Sequence, residues 1–311
     1  MPKVLISDNL SDVAKEIFLN NNIEVDVITD LNPEQLKDKI IHYEGLVVRS
    51  ATKVTDEIIK SAKKLKIIGR AGAGVDNIDL ESAKKNNVIV MNTPGGNTNA
   101  TAEHALGLIF SIYRNIPNAN SSTHKGLWEK KNFKGLELKD KNLGIIGFGN
   151  VGKRISEIGL SLGMRISVFS NSFSSVKSQF PEINSLSFEK LLSTSDIISL
   201  HCKPTKDGKP LINLDQIKLM KKNSILINTA RGGLIDENDL KIALESNLIR
   251  GAALDVYTKE PCKENVLFGV PNIILTPHIA ASTNEAQVNV AKQIADQISN
   301  YFNKNLIINA I

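Results

Sequence analysis

The stretch Leu143-Gly144-Ile145-Ile146-Gly147-Phe148-Gly149-Asn150-Val151-Gly152 decides the fold of this chain. Its first four residues form a buried-strand pattern, its glycines follow the spacing GxGxxG, and a helical pattern covers residues 153–162. Short β-rich runs alternate with helical patterns along the rest of the chain, which is typical of parallel sheets covered by helices on both faces. The sequence therefore predicts an α/β fold with two doubly wound, Rossmann-like parallel-sheet domains.

The three glycines of this stretch each meet a different physical requirement. Gly147 allows a tight turn, Gly149 lets the backbone approach a ligand, and Gly152 lets the helix pack on the strand. The amides of Asn150 and Val151 would point at a pyrophosphate from the helix N-terminus. A strand before the glycines and a helix after them predict a dinucleotide-binding loop.

The order of elements predicts that one domain is inserted into the other. Predicted strands lie at 4–7, 24–29, 45–48, 66–69 and 88–91, and then at 142–147, 165–169, 197–201, 224–228, 251–255 and 272–275. A turn-rich breaker, Thr93–Asn97, separates the two sets, and a long final helix over 283–302 can return to the first domain. We expect a substrate-binding domain of residues 1–96 and 283–311, and a dinucleotide-binding domain of residues 97–282. Hinges are expected near Asn97 and Ala281.

Composition favours a soluble cytoplasmic protein that binds neither nucleic acid nor membrane. The 311 residues carry a net charge of +5, but the lysines are scattered rather than clustered. Cys202 and Cys262 do not make a disulfide framework, so a reducing compartment is expected. No apolar run reaches membrane-spanning length, and no signal peptide precedes the first strand. We expect no metal site.

The residue after the second strand of the dinucleotide domain leaves the cofactor open. NAD-binding domains place an acid there to bind the adenosine ribose, but this chain has Ser170. A serine tolerates the 2′-phosphate of NADP, yet no arginine follows it and the nearest cation is Lys177. Asn171 or the neighbouring backbone can hold the ribose equally well. The prediction is NAD, with NADP as an alternative.

An arginine at a strand end predicts a site for a carboxylate. The strand pattern at 225–228 runs into Thr229-Ala230-Arg231-Gly232-Gly233, so Arg231 projects from the carboxyl edge of a parallel sheet, where such folds bind ligands. A guanidinium can grip a carboxylate with two parallel hydrogen bonds and still reach a neighbouring carbonyl oxygen.

A histidine at a later strand end predicts the proton-transfer group. One strand leads into the segment from Asp255 to Glu260, and the next leads into Thr276-Pro277-His278. A carboxylate from the adjacent strand end can fix the tautomer of His278 and raise its pKa, so that it exchanges a proton near neutral pH. Asp255 is expected to contact the nicotinamide region. The other histidines lack this setting and are expected to be core, surface or cofactor-lining residues: His42, His104, His124 and His201.

These residues resemble the D-isomer-specific 2-hydroxyacid dehydrogenases over nearly the whole chain. The matching stretches are VRSATKVT at 48–55, GRAGAGVDN at 69–77, MNTP at 91–94, ARGG at 230–233, GAALDV at 251–256 and Pro277-His278. The first two resemble members of the family that act on a phosphorylated hydroxy acid.

The resemblance implies a role for each matching position. Arg231 would orient the substrate carboxylate and polarise the reacting carbonyl, while Glu260 pairs with His278, the acid/base. Besides the three glycines of the loop, the implied cofactor contacts are Ala73, Asn150, Val151, Ser170, Cys202, Thr229, Ala230, Arg231, Asp255, His278, Ile279, Ala280 and Ala281. Implied substrate contacts are Arg49, Ser50, Arg70, Ala71, Gly72, Asn97, Arg231 and Lys130, with Arg49 the best candidate for a phosphate.

The chain departs from the family pattern at several positions. Ser170 replaces the acid, and Ala280 replaces a common glycine. Lys130 stands in a Trp-Glu-x-Lys segment where the family often has an arginine that reaches the partner subunit's site, and lysine keeps the charge without the bidentate geometry. The resemblance implies a homodimer with an interface excursion over 115–138. Because the chain ends at Ile311, no C-terminal regulatory domain is expected.

Three functions agree with these residues. The leading hypothesis is an NAD(P)-dependent enzyme that oxidises a phosphorylated 2-hydroxy acid. The second hypothesis is an NAD(P)H-dependent reductase of an unphosphorylated 2-keto acid, such as hydroxypyruvate or glyoxylate. It uses the same chemistry, but its substrate needs no cation at the position of Arg49. A dinucleotide-sensing scaffold is a third hypothesis, and it would keep partner binding without turnover.

Overall fold

The computed structural model describes residues 1–205 and 207–311, which form two compact units. Unit 1 comprises Met1–Asn97 and Ser282–Ile311, and unit 2 comprises Thr98–Ala281. These divisions fall within one residue of the boundaries expected from the sequence. Among the described residues, none of the helices combines the length and apolar character that crossing a membrane requires.

The first part of unit 1 alternates strands with helices. Its strands are β1 (Lys3–Ile6), β2 (Glu24–Val27), β3 (Gly45–Val48), β4 (Ile67–Arg70) and β5 (Ile89–Asn92). Its helices are α1 (Val13–Asn20), α2 (Pro33–Ile40), α3 (Asp56–Ser61) and α4 (Leu80–Lys85). The strands pair in parallel in the order β2-β1-β3-β4-β5. The direction of winding therefore changes between β1 and β3, and ligands bind beyond the carboxyl ends of strands at such a switch point.

Unit 2 repeats the arrangement with a larger sheet. Its strands are β6 (Asn142–Ile146), β7 (Arg165–Phe169), β8 (Asn184–Ser185), β9 (Ile197–Leu200), β10 (Ile225–Asn228), β11 (Gly251–Leu254) and β12 (Ile273–Leu275). Its helices are α5 (Thr98–Tyr113), α6 (Ile116–His124), α7 (Asn150–Ser161), α8 (Phe188–Thr194), α9 (Leu214–Leu219) and α10 (Glu237–Glu245). All pairs are parallel, in the order β12-β11-β10-β9-β6-β7-β8. The switch point lies between β6 and β9.

The final helix returns the chain to unit 1. Helix α11 (Asn284–Lys304) begins at Thr283, whose side chain accepts a hydrogen bond from the Ala286 amide. Its apolar face packs on the sheet, and a side chain at Gly69 of β4 would collide with Ile294 and Ile298. Glycine is required at this strand position because the helix lies so close to the sheet.

The prediction of two doubly wound parallel sheets is confirmed, and the predicted strands lie within two residues of the observed ones at each end. The sequence predicts that the helix after the glycines begins at residue 153, but α7 begins three residues earlier, at Asn150. The excursion over 115–138 contains α6 and a short 3-10 helix, Lys130–Phe133. Polar residues dominate α6, and this hides its helical period.

Candidate active site

The dinucleotide loop connects β6 to α7 at the switch point of unit 2. Gly147 has φ 96, a conformation that other residues rarely adopt. A side chain at Gly152 would collide with the carbonyl oxygen of Gly147, so the close packing of α7 on the turn requires glycine there. Asn150 and Val151 begin the helix, so their N–H groups belong to its unpaired first turn.

Gly149 has a different reason to be glycine. Its backbone is extended, with φ −81 and ψ −161, and a Cβ built on it meets no atom within 4 Å among the described residues. The protein's own packing therefore does not demand glycine at this position. An absent side chain beside unpaired amides fits the pyrophosphate of a dinucleotide, which must approach the backbone closely.

Two residues after β9 line the same switch point. A side chain at Gly147 would meet the carbonyl of His201 and the amide of Cys202, so these residues lie directly against the glycine turn. Burial lowers the pKa of His201 to about 4, and its Nε2 lies 2.8 Å from Ser199 Oγ. Burial also raises the pKa of the Cys202 thiol. Both groups are therefore neutral near pH 7.

Ser170 lies just after β7, at the position where NAD-binding domains carry the acid that binds the adenosine ribose. Its hydroxyl lies 3.1 Å from the hydroxyl of Ser172, and residues 170–172 carry no carboxylate. Phe173–Ser175 and Lys177–Gln179 form short 3-10 helices behind it. The residues directly after β7 thus offer hydroxyl groups rather than a negative charge.

The Arg231 loop is held by an asparagine at the end of β10. Asn228 is buried, its Nδ2 donates to the Arg231 carbonyl at 2.9 Å, and its Oδ1 accepts the Ala230 amide at 3.1 Å. Arg231 Nη1 donates to the Ala230 carbonyl at 2.7 Å. A side chain at Gly232 would collide with the carbonyl of Tyr257, so this loop packs closely on the segment that carries Glu260.

Glu260 and His278 form a direct pair. Glu260 Oε2 lies 2.6 Å from His278 Nδ1, and Glu260 Oε1 accepts the Tyr257 amide at 3.0 Å. The hydrogen bond and the charge of Glu260 raise the pKa of His278 against the effect of burial. Burial alone would raise the pKa of Glu260, but the hydrogen bonds from His278 and the Tyr257 amide hold it below its usual value. Nε2 of His278 is left for another partner.

Asp255 anchors the loop that carries His278. Its side chain is 0% exposed, and its carboxylate accepts the hydroxyl of Thr276 at 2.6 Å and the amides of Ile279 and Ala280 at 2.9 and 2.8 Å. Burial would raise the pKa of Asp255, but these bonds and His104 keep it below its ordinary value.

His278 itself has φ 54, which is uncommon for a residue with a side chain and is fixed by the bonds from Asp255 to the residues that flank it. The contact of Asp255 with a nicotinamide stays a prediction.

His104 belongs to this cluster, although the sequence did not single it out. It lies on α5, with Nε2 3.2 Å from Thr276 Oγ1 and 3.5 Å from Asp255 Oδ1. The helical stretch around it is apolar and resembles an ordinary core helix. Only the spatial proximity of α5 to the ends of β11 and β12 reveals the contact.

Unit 1 carries the remaining predicted substrate residues near the carboxyl edge of its sheet. Arg49 and Ser50 follow β3, and Arg70 is the last residue of β4. Arg49 Nη1 donates to the Asn9 carbonyl at 3.2 Å, and Arg70 Nη1 lies 3.4 Å from the Ala71 carbonyl.

A turn after β4 holds the next predicted residues. Gly72 has φ 149, and a side chain there would collide with the guanidinium of Arg70. The Ala73 carbonyl accepts Asn92 Nδ2 at 2.6 Å. Asn97 is the last residue of the first part of unit 1.

Three further predicted residues also belong to unit 2. Thr229 is buried, and its hydroxyl has no partner among the described residues. Ala281 is the last residue of the unit. Lys130 is exposed in the short 3-10 helix after Trp128, whose side chain is 88% exposed.

Comparison with known proteins places these features in one family. Residues 106–280 match the sequence model of the D-isomer specific 2-hydroxyacid dehydrogenase, NAD binding domain. The chain therefore belongs to the D-isomer specific 2-hydroxyacid dehydrogenase family, as its motifs suggested.

Among curated proteins, a D-3-phosphoglycerate dehydrogenase of Archaeoglobus fulgidus is 43% identical over 299 residues, which is 96% of this chain and 57% of the relative. The chain spans little more than half the length of the curated relatives it matches.

Solved structures are similar over their whole length. An NAD+-bound 3-phosphoglycerate dehydrogenase of Entamoeba histolytica is 32% identical, with a TM-score of 0.85. The match covers 100% of this chain and 98% of the relative's chain. An acyclic imino acid reductase in complex with NADPH and D-Arg is 31% identical with a TM-score of 0.88, over 99% of each chain. Both NAD and NADPH thus occur in relatives of this fold.

Proposed function

We propose that this chain is an NAD-dependent enzyme that oxidises D-3-phosphoglycerate to 3-phosphohydroxypyruvate, the reaction that starts serine biosynthesis. The pair of Glu260 and His278 in unit 2 carries the proposal, because it supplies an imidazole with a fixed tautomer and a raised pKa. The curated relatives at 42% to 43% identity support this substrate, since they are named D-3-phosphoglycerate dehydrogenase.

Each catalytic residue has one task in the proposed reaction. Arg231 holds the substrate carboxylate with its guanidinium and polarises the oxygen on C2. His278 uses Nε2 to accept the proton of the C2 hydroxyl, while Nδ1 stays hydrogen-bonded to Glu260. The C2–H bond breaks with its electron pair leaving as hydride, and the C2–O bond becomes a carbonyl. When bound, the nicotinamide dinucleotide supplies the hydride acceptor.

The residues of unit 2 fit that dinucleotide. The glycine loop with Asn150 and Val151 would hold the pyrophosphate, and Ser170 would face the adenosine ribose. We assign the other contacts from the family pattern: Ala73, Cys202, Thr229, Ala230, Asp255, Ala280 and Ala281. In unit 1 the substrate would be held by Arg49, Ser50, Arg70, Ala71, Gly72 and Asn97, with Lys130 contributed by a partner subunit.

The setting of the enzyme is also a proposal. We place it in the cytoplasm as a homodimer, with residues 115–138 at the interface. The largely exposed Trp128 supports an interface there, together with its exposed neighbour Leu127 and with Ile116 earlier in the same segment, because exposed apolar groups commonly mark protein contacts.

A reductase of an unphosphorylated 2-keto acid is the second candidate, and one observation favours it. Ser170 leaves the ribose site without the carboxylate that repels NADP, and the similar imino acid reductase was solved with NADPH. The same Arg231, Glu260 and His278 would then work in the opposite direction.

Product analysis tests the leading proposal. The chain is incubated with D-3-phosphoglycerate and NAD in the presence of a carbonyl-trapping hydrazine, and the trapped product is identified by mass spectrometry. We expect the hydrazone of 3-phosphohydroxypyruvate, and expect the variant His278→Ala to form it about 100-fold more slowly or slower still. Wild-type protein that yields no trapped keto acid would refute the assignment.

A further inference from the structure

The segment Arg49–Thr52 lies at the switch point of the unit 1 sheet. It follows β3 directly, and Asp8 lies two residues after the end of the neighbouring strand β1. Winding reverses between these two strands, so their carboxyl ends frame the crevice where doubly wound sheets bind ligands. Any group that fixes this segment also fixes the floor of that crevice.

Asp8 fixes the segment from below. Its side chain is 6% exposed, and Oδ2 accepts the amides of both Arg49 and Thr52. Oδ1 accepts the Thr52 hydroxyl at 2.6 Å, and Ser7 Oγ donates to that same hydroxyl at 3.1 Å. One carboxylate therefore ties down both ends of a four-residue loop with charge-assisted hydrogen bonds.

Asn77 fixes the same two residues through their carbonyl groups. Its Nδ2 donates to the Arg49 carbonyl at 2.7 Å and to the Thr52 carbonyl at 2.6 Å. Asp8 thus accepts hydrogen bonds from the amides of Arg49 and Thr52, and Asn77 donates hydrogen bonds to the carbonyls of the same two residues. This arrangement leaves the middle of the loop, Ser50 and Ala51, without any of these anchors.

The middle of the loop has unused hydrogen-bond donors. Within residues 1–205 and 207–311, the amides of Ser50 and Ala51 and the Ser50 hydroxyl have no hydrogen-bond partner, and both residues are exposed. Arg49 uses one donor, to the Asn9 carbonyl, and no described carboxylate lies within 4 Å of its guanidinium. Successive free amides beside a guanidinium match the several acceptor oxygens of a tetrahedral oxyanion.

We propose that Asp8 and Asn77 are positioning residues that preorganise Arg49, Ser50 and Ala51 as a receptor for a phosphate group. Asp8 and Asn77 act through the loop and do not touch the ligand. The identity of that phosphate as the ester of the substrate rests on the proposed function, whereas the receptor itself rests on the geometry of unit 1. Preorganisation lowers the cost of binding, so loss of either anchor weakens phosphate affinity rather than the chemical step.

Kinetics and direct binding test the proposal on the full chain with three variants, Asp8→Ala, Asp8→Asn and Asn77→Ala. We expect KM for D-3-phosphoglycerate to rise by about 10-fold or more in both alanine variants, with kcat within about threefold and KM for NAD unchanged. Asp8→Asn keeps one carbonyl oxygen and should fall between wild type and Asp8→Ala. KM for D-glycerate, which has no phosphate, should stay the same.

Asn86→Ala is the matched control. Asn86 Nδ2 also donates to a backbone carbonyl, that of Ser82 at 2.8 Å, but it lies at the end of α4, before β5 begins. We expect unchanged kinetics. If Asp8→Ala does not fold, Asp8→Asn and Asn77→Ala decide the matter, with circular dichroism confirming their fold.

A second readout separates this proposal from the proposed function. Isothermal titration with inorganic phosphate should show affinity in wild type that drops about 10-fold in Asn77→Ala and in Arg49→Ala. Wild type that binds phosphate but does not turn over D-3-phosphoglycerate would contradict the function and support the receptor. Folded variants with wild-type phosphate affinity, or wild type without phosphate affinity, would overturn the receptor.

Discussion

Glu260 Oε2 lies 2.6 Å from Nδ1 of His278, and the same carboxylate accepts the Tyr257 amide through its other oxygen. The carboxylate is therefore fixed before it meets the imidazole, and it leaves Nε2 as the nitrogen that can exchange a proton. Because the negative charge favours the imidazolium, the pKa of His278 lies above its ordinary 6.5.

The substitution Glu260→Gln should move the pH dependence of activity toward acid. Oxidation needs neutral His278, so kcat/KM for the hydroxy acid rises with pH through the pKa of His278. That midpoint should lie above 6.5 in wild type. The glutamine amide can still accept a hydrogen bond but carries no charge, so the midpoint should fall toward 6.5. The rate of the reductive reaction falls as the pH rises, and the midpoint of this fall should also shift toward acid in Glu260→Gln.

Initial rates of oxidation and reduction across the pH range measure this shift. Lys259→Gln, which changes a charge one residue away, serves as a control for general electrostatics and should leave the midpoint in place. A midpoint for Glu260→Gln at or above that of wild type would mean that Glu260 does not set the pKa of His278.

Replacing His278 by alanine separates an enzyme from a dinucleotide-sensing scaffold. We expect turnover to drop by about 100-fold or more, since general acid–base catalysis contributes at least that much. NAD affinity, followed by the quenching of intrinsic fluorescence, should change little because the glycine loop and α7 are untouched. Turnover within about threefold of wild type would remove His278 from the mechanism.

Asp255 should contribute strongly to stability because its carboxylate holds three donors in the loop that carries His278. Asp255→Ala leaves the Ile279 and Ala280 amides unpaired, and we expect a loss of about 2–4 kcal/mol in the free energy of unfolding. Thr276→Val removes one of these donors and should cost about 1 kcal/mol. Urea denaturation measures both, and an unchanged midpoint for Asp255→Ala would contradict the anchoring role.

Replacing Ser170 by aspartate should narrow the cofactor preference to NAD. The new carboxylate can accept hydrogen bonds from the ribose hydroxyls, and it repels the 2′-phosphate of NADP. We expect KM for NADP to rise about 10-fold or more while KM for NAD stays the same or falls. Ser172→Ala, which removes only the hydroxyl next to Ser170, should leave the preference unchanged. Equal effects on both cofactors would show that residue 170 does not face the ribose.

The sequence predicts most of the fold because its decisive features are local. The glycines between β6 and α7 are required by a tight turn and close packing within a few residues, so the motif alone indicates strand, turn and helix. The central strands β3, β9, β10 and β11 are buried along their whole length, and most of them are visible in the sequence as short apolar runs. Helix α6 was not predicted because its composition is polar and its helical period is hidden.

The site was predicted less completely because some contacts join distant parts of the chain. Motifs at strand ends indicated Arg231, Glu260 and His278 from sequence. His104 meets Asp255 from a helix far earlier in the chain, and nothing near it in sequence indicates that contact. Asp8 likewise reaches Arg49 only because β1 and β3 are neighbours in the sheet.

The most direct test compares initial rates in two assays with the same protein preparation. One follows formation of reduced cofactor from D-3-phosphoglycerate with NAD or NADP, and the other follows its consumption with hydroxypyruvate and NADH or NADPH. We predict D-3-phosphoglycerate-dependent reduction of NAD that His278→Ala slows by about 100-fold or more. Fast NADPH-dependent reduction of hydroxypyruvate with no activity on D-3-phosphoglycerate would contradict the proposed function and make the chain a 2-keto acid reductase.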